Sequence, residues 1–230
     1  MYPSISDGIV LTGFSMNVSF VGYFAAGADF VQANLNQPFR FGNISSSAVS
    51  SVMSLYGLAD FTAGLNATQG LGYPNGYLTN SNINSQQFLF FLPKHFDTGI
   101  LELGEATKQP VTVGEILTLG SVPIMNDYAG PVLIITGCKI FPFARMQENL
   151  LMPKIANDLP YCGGDCLATG DASLHSIPGA AAKNFPKVAP SNFTAYIQPN
   201  TGHGINFHYN ATGAYDVVQN FLVSKGVMST

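Results

Sequence analysis

The stretch Gly130-Pro-Val-Leu-Ile-Ile-Thr-Gly137 decides the fold of this chain. Its apolar residues follow one another without alternation and are bounded by glycines, which is typical of a strand buried on both faces of a parallel sheet. Pro131 fits the start of such a strand. Asp7-Gly-Ile-Val-Leu-Thr-Gly-Phe-Ser15 has the same character. The sequence therefore predicts the α/β class, with parallel strands in both stretches.

A third strand and a final helix are predicted near the end of the chain. Phe193–Pro199 alternates more strongly between apolar and polar residues and is followed by the Gly-flanked loop Asn200–Asn206. A helix from about Gly213 to Lys225 comes next, because its apolar residues recur on one face. These residues are Tyr215, Val218, Phe221 and Leu222.

More than a hundred residues separate the first two strands, far more than a strand-to-strand crossover needs. This segment is rich in aromatic residues, Asn and Gly, and has helical patterns over Ser45–Tyr56, Asn84–Leu92 and Val113–Leu119. We interpret it as an inserted, mainly helical subdomain. A second insertion is expected at Ile140–Ala156, which holds Arg and Met residues that are scarce elsewhere; an ordinary surface helix is the alternative.

The composition argues against two classes of partner. The formal net charge is −4 and the isoelectric point about 5.4, so the basic footprint of a nucleic-acid-binding protein is missing. The longest apolar stretches are far shorter than a membrane span.

Charged residues make up only 10% of the chain, against roughly 25% in ordinary soluble domains. A surface of neutral polar groups is common in extracellular proteins.

A further feature, the N-glycosylation sequons, points to an extracellular protein. N-glycosylation sequons occur in mild excess, although coincidence in an Asn-rich chain stays open. They begin at Asn17, Asn43, Asn66, Asn192 and Asn210. The first residues lack the basic and apolar regions of a signal peptide, so we expect the natural N-terminus to lie upstream.

Cys162 and Cys166 flank Gly-Gly-Asp, a turn flexible enough to bring the two sulfurs together. A disulfide there would contribute about 2 kcal/mol by loop closure and would persist in an oxidising compartment. A metal site is the weaker interpretation, because no His or second Cys pair stands at ligand spacing. Cys138 has no predicted partner. The sequence predicts no cofactor, since Gly70-Leu-Gly72 lacks the strand, third Gly and helix of a dinucleotide fingerprint.

His203 is the strongest catalytic candidate, because glycines on both sides keep a loop imidazole accessible for proton transfer. The alternative is that His203 is a loop histidine with no catalytic function. Asp158, beyond the end of a strand, is the candidate for an acid that orients the imidazole, although Asn-Asp-Leu-Pro is also a plain turn signal. Asp165 and Asp127 are weaker alternatives. The nucleophile is missing: no Gly-x-Ser-x-Gly occurs, and Ser15 lacks the second Gly and a clear helix behind it.

These parts together resemble fungal secreted α/β-hydrolases. The specific motifs are the Cys turn, Asp158-Leu-Pro-Tyr-Cys-Gly-Gly-Asp-Cys166, and Pro199-Asn-Thr-Gly-His-Gly-Ile-Asn-Phe-His-Tyr-Asn-Ala-Thr-Gly-Ala214. Supporting stretches are Asp7–Ser15, Gln37–Gly42, Tyr73–Thr79, Phe90–Pro93 and Lys108–Glu115. The resemblance covers nearly the whole chain except Ile140–Ala156.

The resemblance implies an α/β-hydrolase fold of which this chain holds the last three parallel strands. Residues 1–15 and 109–230 would form the partial core, and residues 16–108 a cap lining an apolar pocket. His203 would be the general base and Asp158 its orienting acid in a Ser-His-Asp triad that hydrolyses small apolar or ester-like substrates. The nucleophile elbow would precede the first strand, so we expect this chain to be inactive alone. The alternative is a non-catalytic extracellular protein that binds an apolar ligand through the aromatic-rich cap.

Overall fold

The computed structural model describes residues 4–17, 19–42, 72–118, 126–138, 162, 166–167 and 169–229. Several sequence predictions lie outside these residues and are not tested by the structure. They concern the helical pattern at Ser45–Tyr56, the insertion Ile140–Ala156, the sequons at Asn43 and Asn66, and the carboxylates of Asp158 and Asp165.

The described helices and strands are interspersed along the chain. Their order is β1 (Ile9–Thr12), α1 (Val21–Ala28), β2 (Val31–Gln32), α2 (Ala33–Asn36), α3 (Pro38–Phe41), β3 (Tyr77–Thr79), α4 (Ile83–Phe90), α5 (Thr98–Thr107), β4 (Val111–Thr112), α6 (Val113–Leu117), β5 (Val132–Cys138), β6 (Phe193–Pro199) and α7 (Ala211–Ser224). Short 3₁₀ helices cover Pro178–Asn184, Pro190–Asn192 and Ile205–Phe207.

The three predicted strands form one parallel sheet in the order β1-β5-β6. In the register, Ile9 pairs with Val132 and Val132 pairs with Phe193. The prediction of an α/β protein with a parallel sheet is confirmed. Because all three strands run in the same direction, the loops that follow them lie at one edge of the sheet.

The core lies on both faces of β5, whose residues Val132–Ile135 are at most 1% exposed. Successive side chains of a strand point to opposite faces. Val132 and Ile134 pack with Tyr128, Ala181 and Phe185 on one face. Leu133 and Ile135 pack on the other face, against Ile205, Ala214 and Phe221. Burial on both faces explains why the sequence of β5 shows no alternation.

The segment between β1 and β5 contains helices together with a small antiparallel sheet in the order β2-β3-β4. Helix α4 begins after Asn82, whose side chain accepts hydrogen bonds from the backbone N–H groups of Asn84 and Ser85. The helices fit the expectation of a mainly helical insertion. The small sheet was not predicted, since strands of two or three residues leave no alternating pattern. Strand β4 also lies beyond residue 108, where the predicted cap ends. The division into core and cap stays a prediction.

Within the described part of the chain, no helix has both the length and the apolar character needed to cross a membrane.

Candidate functional site

The loop that carries His203 crosses the end of the central strand. It begins after β6 at Asn200, whose φ of 57° lies in the left-handed region. It then passes so close to Gly137 of β5 that a Cβ there would collide with the carbonyl oxygen of Gly202. The loop therefore reaches beyond its neighbouring strand, towards the end of β1.

The imidazole of His203 lies against Gly13, the residue that follows β1. A Cβ at Gly13 would lie 2.9 Å from Cε1 and 3.3 Å from Nδ1 of the imidazole. Gly13 has a φ of +59°, so its backbone conformation also favours glycine. Its N–H group donates to the carbonyl of Ile135 at 2.9 Å, which fixes the turn after β1. The structure thus brings residues 13 and 203 together beyond the carboxyl ends of the parallel strands, which we call the carboxyl edge of the sheet.

Helix α4 holds the same loop from the other side. The N–H group of Gly204 donates to the carbonyl oxygen of Phe90 at 2.9 Å, and the Phe90 ring stacks on the His203 imidazole with 5.8 Å between centroids. A Cβ at Gly202 would lie 2.8 Å from the same carbonyl oxygen and 2.9 Å from the nitrogen of Leu92. The glycines around His203 are therefore needed for close backbone approach as well as for turning.

A second histidine, His208, ties this loop to the end of α4. Its Nε2 accepts hydrogen bonds from the N–H groups of Leu92 at 2.8 Å and Gly202 at 3.0 Å. An atom that accepts two N–H donors carries no proton, so the proton resides on Nδ1, which donates to the carbonyl of Gly204 at 2.9 Å. His208 is only 5% exposed, and burial lowers the pKa of its imidazole below the usual 6.5. The neutral ring is what holds the loop.

A cavity of about 270 Å³ opens beside the imidazole of His203. Its walls are mainly apolar and come from the ends of β1 and β5, from Phe90 of α4 and from the start of α7. The lining residues are Thr12, Gly13, Phe90, Ile135, His203, Gly204, Ile205, Asn206, Phe207, Ala214, Tyr215 and Val218. A small molecule in this space would meet the imidazole directly.

The other candidates for a triad have different positions. Ser15 follows β1 and is 8% exposed, but its hydroxyl accepts a hydrogen bond from the N–H group of Asn17 and it does not line the cavity of His203. Asp127 precedes β5 and therefore lies at the opposite edge of the parallel sheet, where it forms an exposed ion pair of 2.7 Å with Lys187. The alternative that Asp127 orients His203 is wrong, because residues before and after parallel strands lie at opposite edges.

The predicted sulfur pair is present as a disulfide between Cys162 and Cys166, with Cα atoms 4.7 Å apart. It packs against Ile177 and against Ile197 of β6. The part of the chain that the structure describes contains no group of three His, Cys, Asp or Glu side chains that could hold a metal ion.

The asparagines of three of the five sequons are among the described residues. The side chains of Asn17 and Asn192 are partly exposed, whereas Nδ2 of Asn210 donates to the carbonyl of Pro199 at 3.0 Å. A glycan on Asn210 would therefore have to be accommodated beside the end of β6. N-glycosylation of these asparagines stays a prediction.

The contacts made by Gly13, Phe90 and His208 are not evident from the sequence. His208 lies five residues after His203, within the motif Pro199–Ala214. That position does not by itself reveal a hydrogen bond to Leu92, which lies 116 residues earlier. No protein-family model matches the sequence, and a search of curated proteins gave no match.

Proposed function

We propose that this chain is the histidine-bearing part of a secreted serine-type hydrolase with the α/β-hydrolase fold, which in its complete form cleaves ester-like bonds. The observation that carries the proposal is the contact between His203 and Gly13. It puts an imidazole beside an apolar cavity at the carboxyl edge of a parallel sheet, where enzymes with open α/β sheets bind their ligands. The strand order β1-β5-β6 fits the last three strands of that fold.

In the proposed mechanism, His203 is the general base. It takes the proton of a serine hydroxyl as the hydroxyl attacks the carbonyl carbon of the substrate, and it returns the proton to the leaving alcohol. The resemblance gives the role of the acid to Asp158, which in this proposal would orient the imidazole and stabilise the imidazolium. The nucleophile in this proposal is the serine of a Gly-x-Ser-x-Gly elbow, a motif that these 230 residues do not contain.

Secretion is part of the same proposal. The Cys162–Cys166 disulfide supports it, because such bonds persist mainly in oxidising compartments. The sequons and the low share of charged residues agree with it. Occupied glycosylation sites on material purified from the natural source would establish it, and a reduced, unglycosylated intracellular product would contradict it.

The proposal is tested by reading the coding frame upstream of Met1 and expressing the extended protein. We expect a strand, a Gly-x-Ser-x-Gly motif and a helix before residue 2, and hydrolysis of p-nitrophenyl esters by the extended product. His203→Ala and Asp158→Ala should each lower kcat by a factor of about 10⁴, because triad members act as a unit. Asp127→Ala is the matched control and should leave kcat unchanged. Esterase activity that survives His203→Ala would overturn the proposal.

The 230-residue chain alone gives a complementary test. It should not be labelled by a fluorophosphonate probe, since both the nucleophile and the oxyanion donor that follows it are missing. Labelling that disappears in Ser15→Ala would make Ser15 the nucleophile and contradict the assignment.

A non-catalytic ligand-binding protein is the second candidate, and a second cavity favours it. This cavity has a volume of about 450 Å³ and lies among α1, α4, α5 and α6. A signal peptide joined directly to Tyr2 in the natural gene would favour this reading over the hydrolase.

A further inference from the structure

The second cavity is bounded mainly by apolar side chains. Phe24, Phe30, Leu89, Val111 and Ile116 contribute to it. Phe90 and Phe207 line both this cavity and the cavity of His203, so the two spaces adjoin at these two residues. A volume of about 450 Å³ lies within the range of small-molecule sites, roughly 300–1,000 Å³.

Buried polar groups interrupt the apolar wall. Thr79 and Gln86 line the cavity and are 2% and 4% exposed. Neither Oγ1 of Thr79 nor Oε1 of Gln86 has a hydrogen-bond partner among the described residues. Buried oxygen atoms without partners are costly, so their presence beside a cavity suggests that the missing partner is a bound molecule.

The charge in the cavity wall is already balanced. Nζ of Lys108, a residue 7% exposed, donates to Oε1 of Glu105 at 2.6 Å and to the carbonyl oxygen of Asn80 at 2.7 Å. One ammonium and one carboxylate cancel, so an anionic or cationic ligand would bring an uncompensated charge into an apolar space. The occupant that suits the wall is uncharged.

We infer that this cavity binds a neutral aromatic molecule bearing a hydroxyl group. The four phenylalanines in its wall, Phe24, Phe30, Phe90 and Phe207, suit stacked or edge-to-face contacts with a ring. The hydroxyl donates to the unpaired oxygen of Gln86 or Thr79. If the proposed function is correct, this aromatic molecule is the part of the substrate that is held next to His203. Only this connection to hydrolysis rests on the proposed function.

The test compares 2-naphthol with 2-methylnaphthalene, which has the same ring system but no hydrogen-bond donor. In fluorescence titrations of the full chain we expect saturable one-site binding, about fivefold tighter for 2-naphthol, which is the gain from one neutral hydrogen bond. The anion 2-naphthoate should bind more weakly than either compound.

Variants locate the site. Gln86→Leu and Thr79→Val should each reduce the preference for 2-naphthol, and the double variant should abolish it while 2-methylnaphthalene still binds. Gln87→Leu is the matched control, since Gln87 lies on the same helix, is partly buried and does not line the cavity. Ile116→Trp should fill the space and weaken both ligands at least tenfold. Retained binding of one ligand in each polar variant shows that the fold is intact.

Equal affinity for the two naphthalenes, an equal effect of Gln87→Leu, or no saturable binding would overturn the inference. If binding holds but ester hydrolysis by the extended protein does not need His203, only the proposed function fails. If hydrolysis needs His203 but neither naphthalene binds, only this inference fails.

Discussion

The imidazole of His203 contacts Gly13, although the two residues follow strands that are not neighbours in the sheet. A Cβ at position 13 would lie 2.9 Å from Cε1 of the imidazole. The contact exists because the loop after β6 crosses the end of β5, where Gly137 lets it pass. The position of the proposed base therefore depends on glycines in three different segments of the chain.

Gly13→Ala should both destabilise the protein and displace the imidazole. The added Cβ meets the ring, and alanine at a φ of +59° is strained, so the free energy of unfolding should fall by about 1–3 kcal/mol. Urea unfolding followed by circular dichroism measures this change. Gly22→Ala is the control, because nothing lies within 4 Å of a Cβ at that helical position, and it should keep or raise stability. Similar losses in the two variants would contradict the close contact at Gly13.

His208→Ala should be among the most destabilising single substitutions in this region. It leaves the buried N–H groups of Leu92 and Gly202 without their acceptor, which is expected to cost about 2–4 kcal/mol of the free energy of unfolding. His175→Ala, at an exposed position, should change that free energy by no more than about 0.5 kcal/mol. Amide hydrogen exchange adds a local readout: protection of Leu92 and Gly202 should be lost. Protection that survives in His208→Ala would show that the imidazole is not their acceptor.

The same histidine predicts how stability depends on pH. Burial lowers the pKa of His208 in the folded state, with His95 adding a smaller effect in the same direction, whereas the unfolded chain takes up its proton near pH 6.5. Below that pH the unfolded state binds more protons than the folded state, so this contribution to stability is complete above about pH 6.5 and is lost as the pH falls. Urea midpoints between pH 8 and pH 5 should drop less steeply in His208→Gln than in the natural chain. Identical slopes would contradict this assignment, and His175→Gln serves as the reference.

Reduction of the Cys162–Cys166 disulfide should lower the free energy of unfolding by about 2 kcal/mol, the loop-closure contribution of so short a loop. Because the disulfide packs against Ile197 of β6, we expect the loss to appear in the unfolding of the parallel sheet. Thermal melts with and without dithiothreitol measure it. A variant with serine at both positions should melt like the reduced protein and should not respond to the reductant.

The sequence predicted the parallel sheet well for a physical reason. A central strand buried on both faces needs an unbroken apolar run, and Val132–Ile135 provides one; the strand Phe193–Pro199 was placed at its observed bounds. The final helix, expected from Gly213 to Lys225, covers Ala211–Ser224. Helix α4 begins one residue before the predicted Asn84 because Asn82 caps it, and it ends at Phe90, two residues before the predicted end.

The short strands and the contacts around His203 could not be predicted from local sequence patterns. Strands β2 and β4 have two residues each, too few to show a period of two. The hydrogen bond from the Leu92 N–H group to His208 and the contact between Gly13 and His203 join residues far apart in the chain, and neither pair of residues has a distinctive spacing. The position of His203 at the carboxyl edge was predictable because the loop follows a parallel strand, and the same rule excludes Asp127.

The most direct test of the proposed site is the proton NMR signal of the imidazole N–H of His203. If Asp158 orients this ring, a strongly downfield N–H resonance should be present in the natural chain, absent in His203→Gln and absent in Asp158→Asn, while Asp127→Asn retains it. The separate N–H signal of His208, bonded to the Gly204 carbonyl, should persist in Asp158→Asn and show that the loop is still folded. A His203 signal that is unchanged by Asp158→Asn would contradict the pairing on which the proposed hydrolase depends.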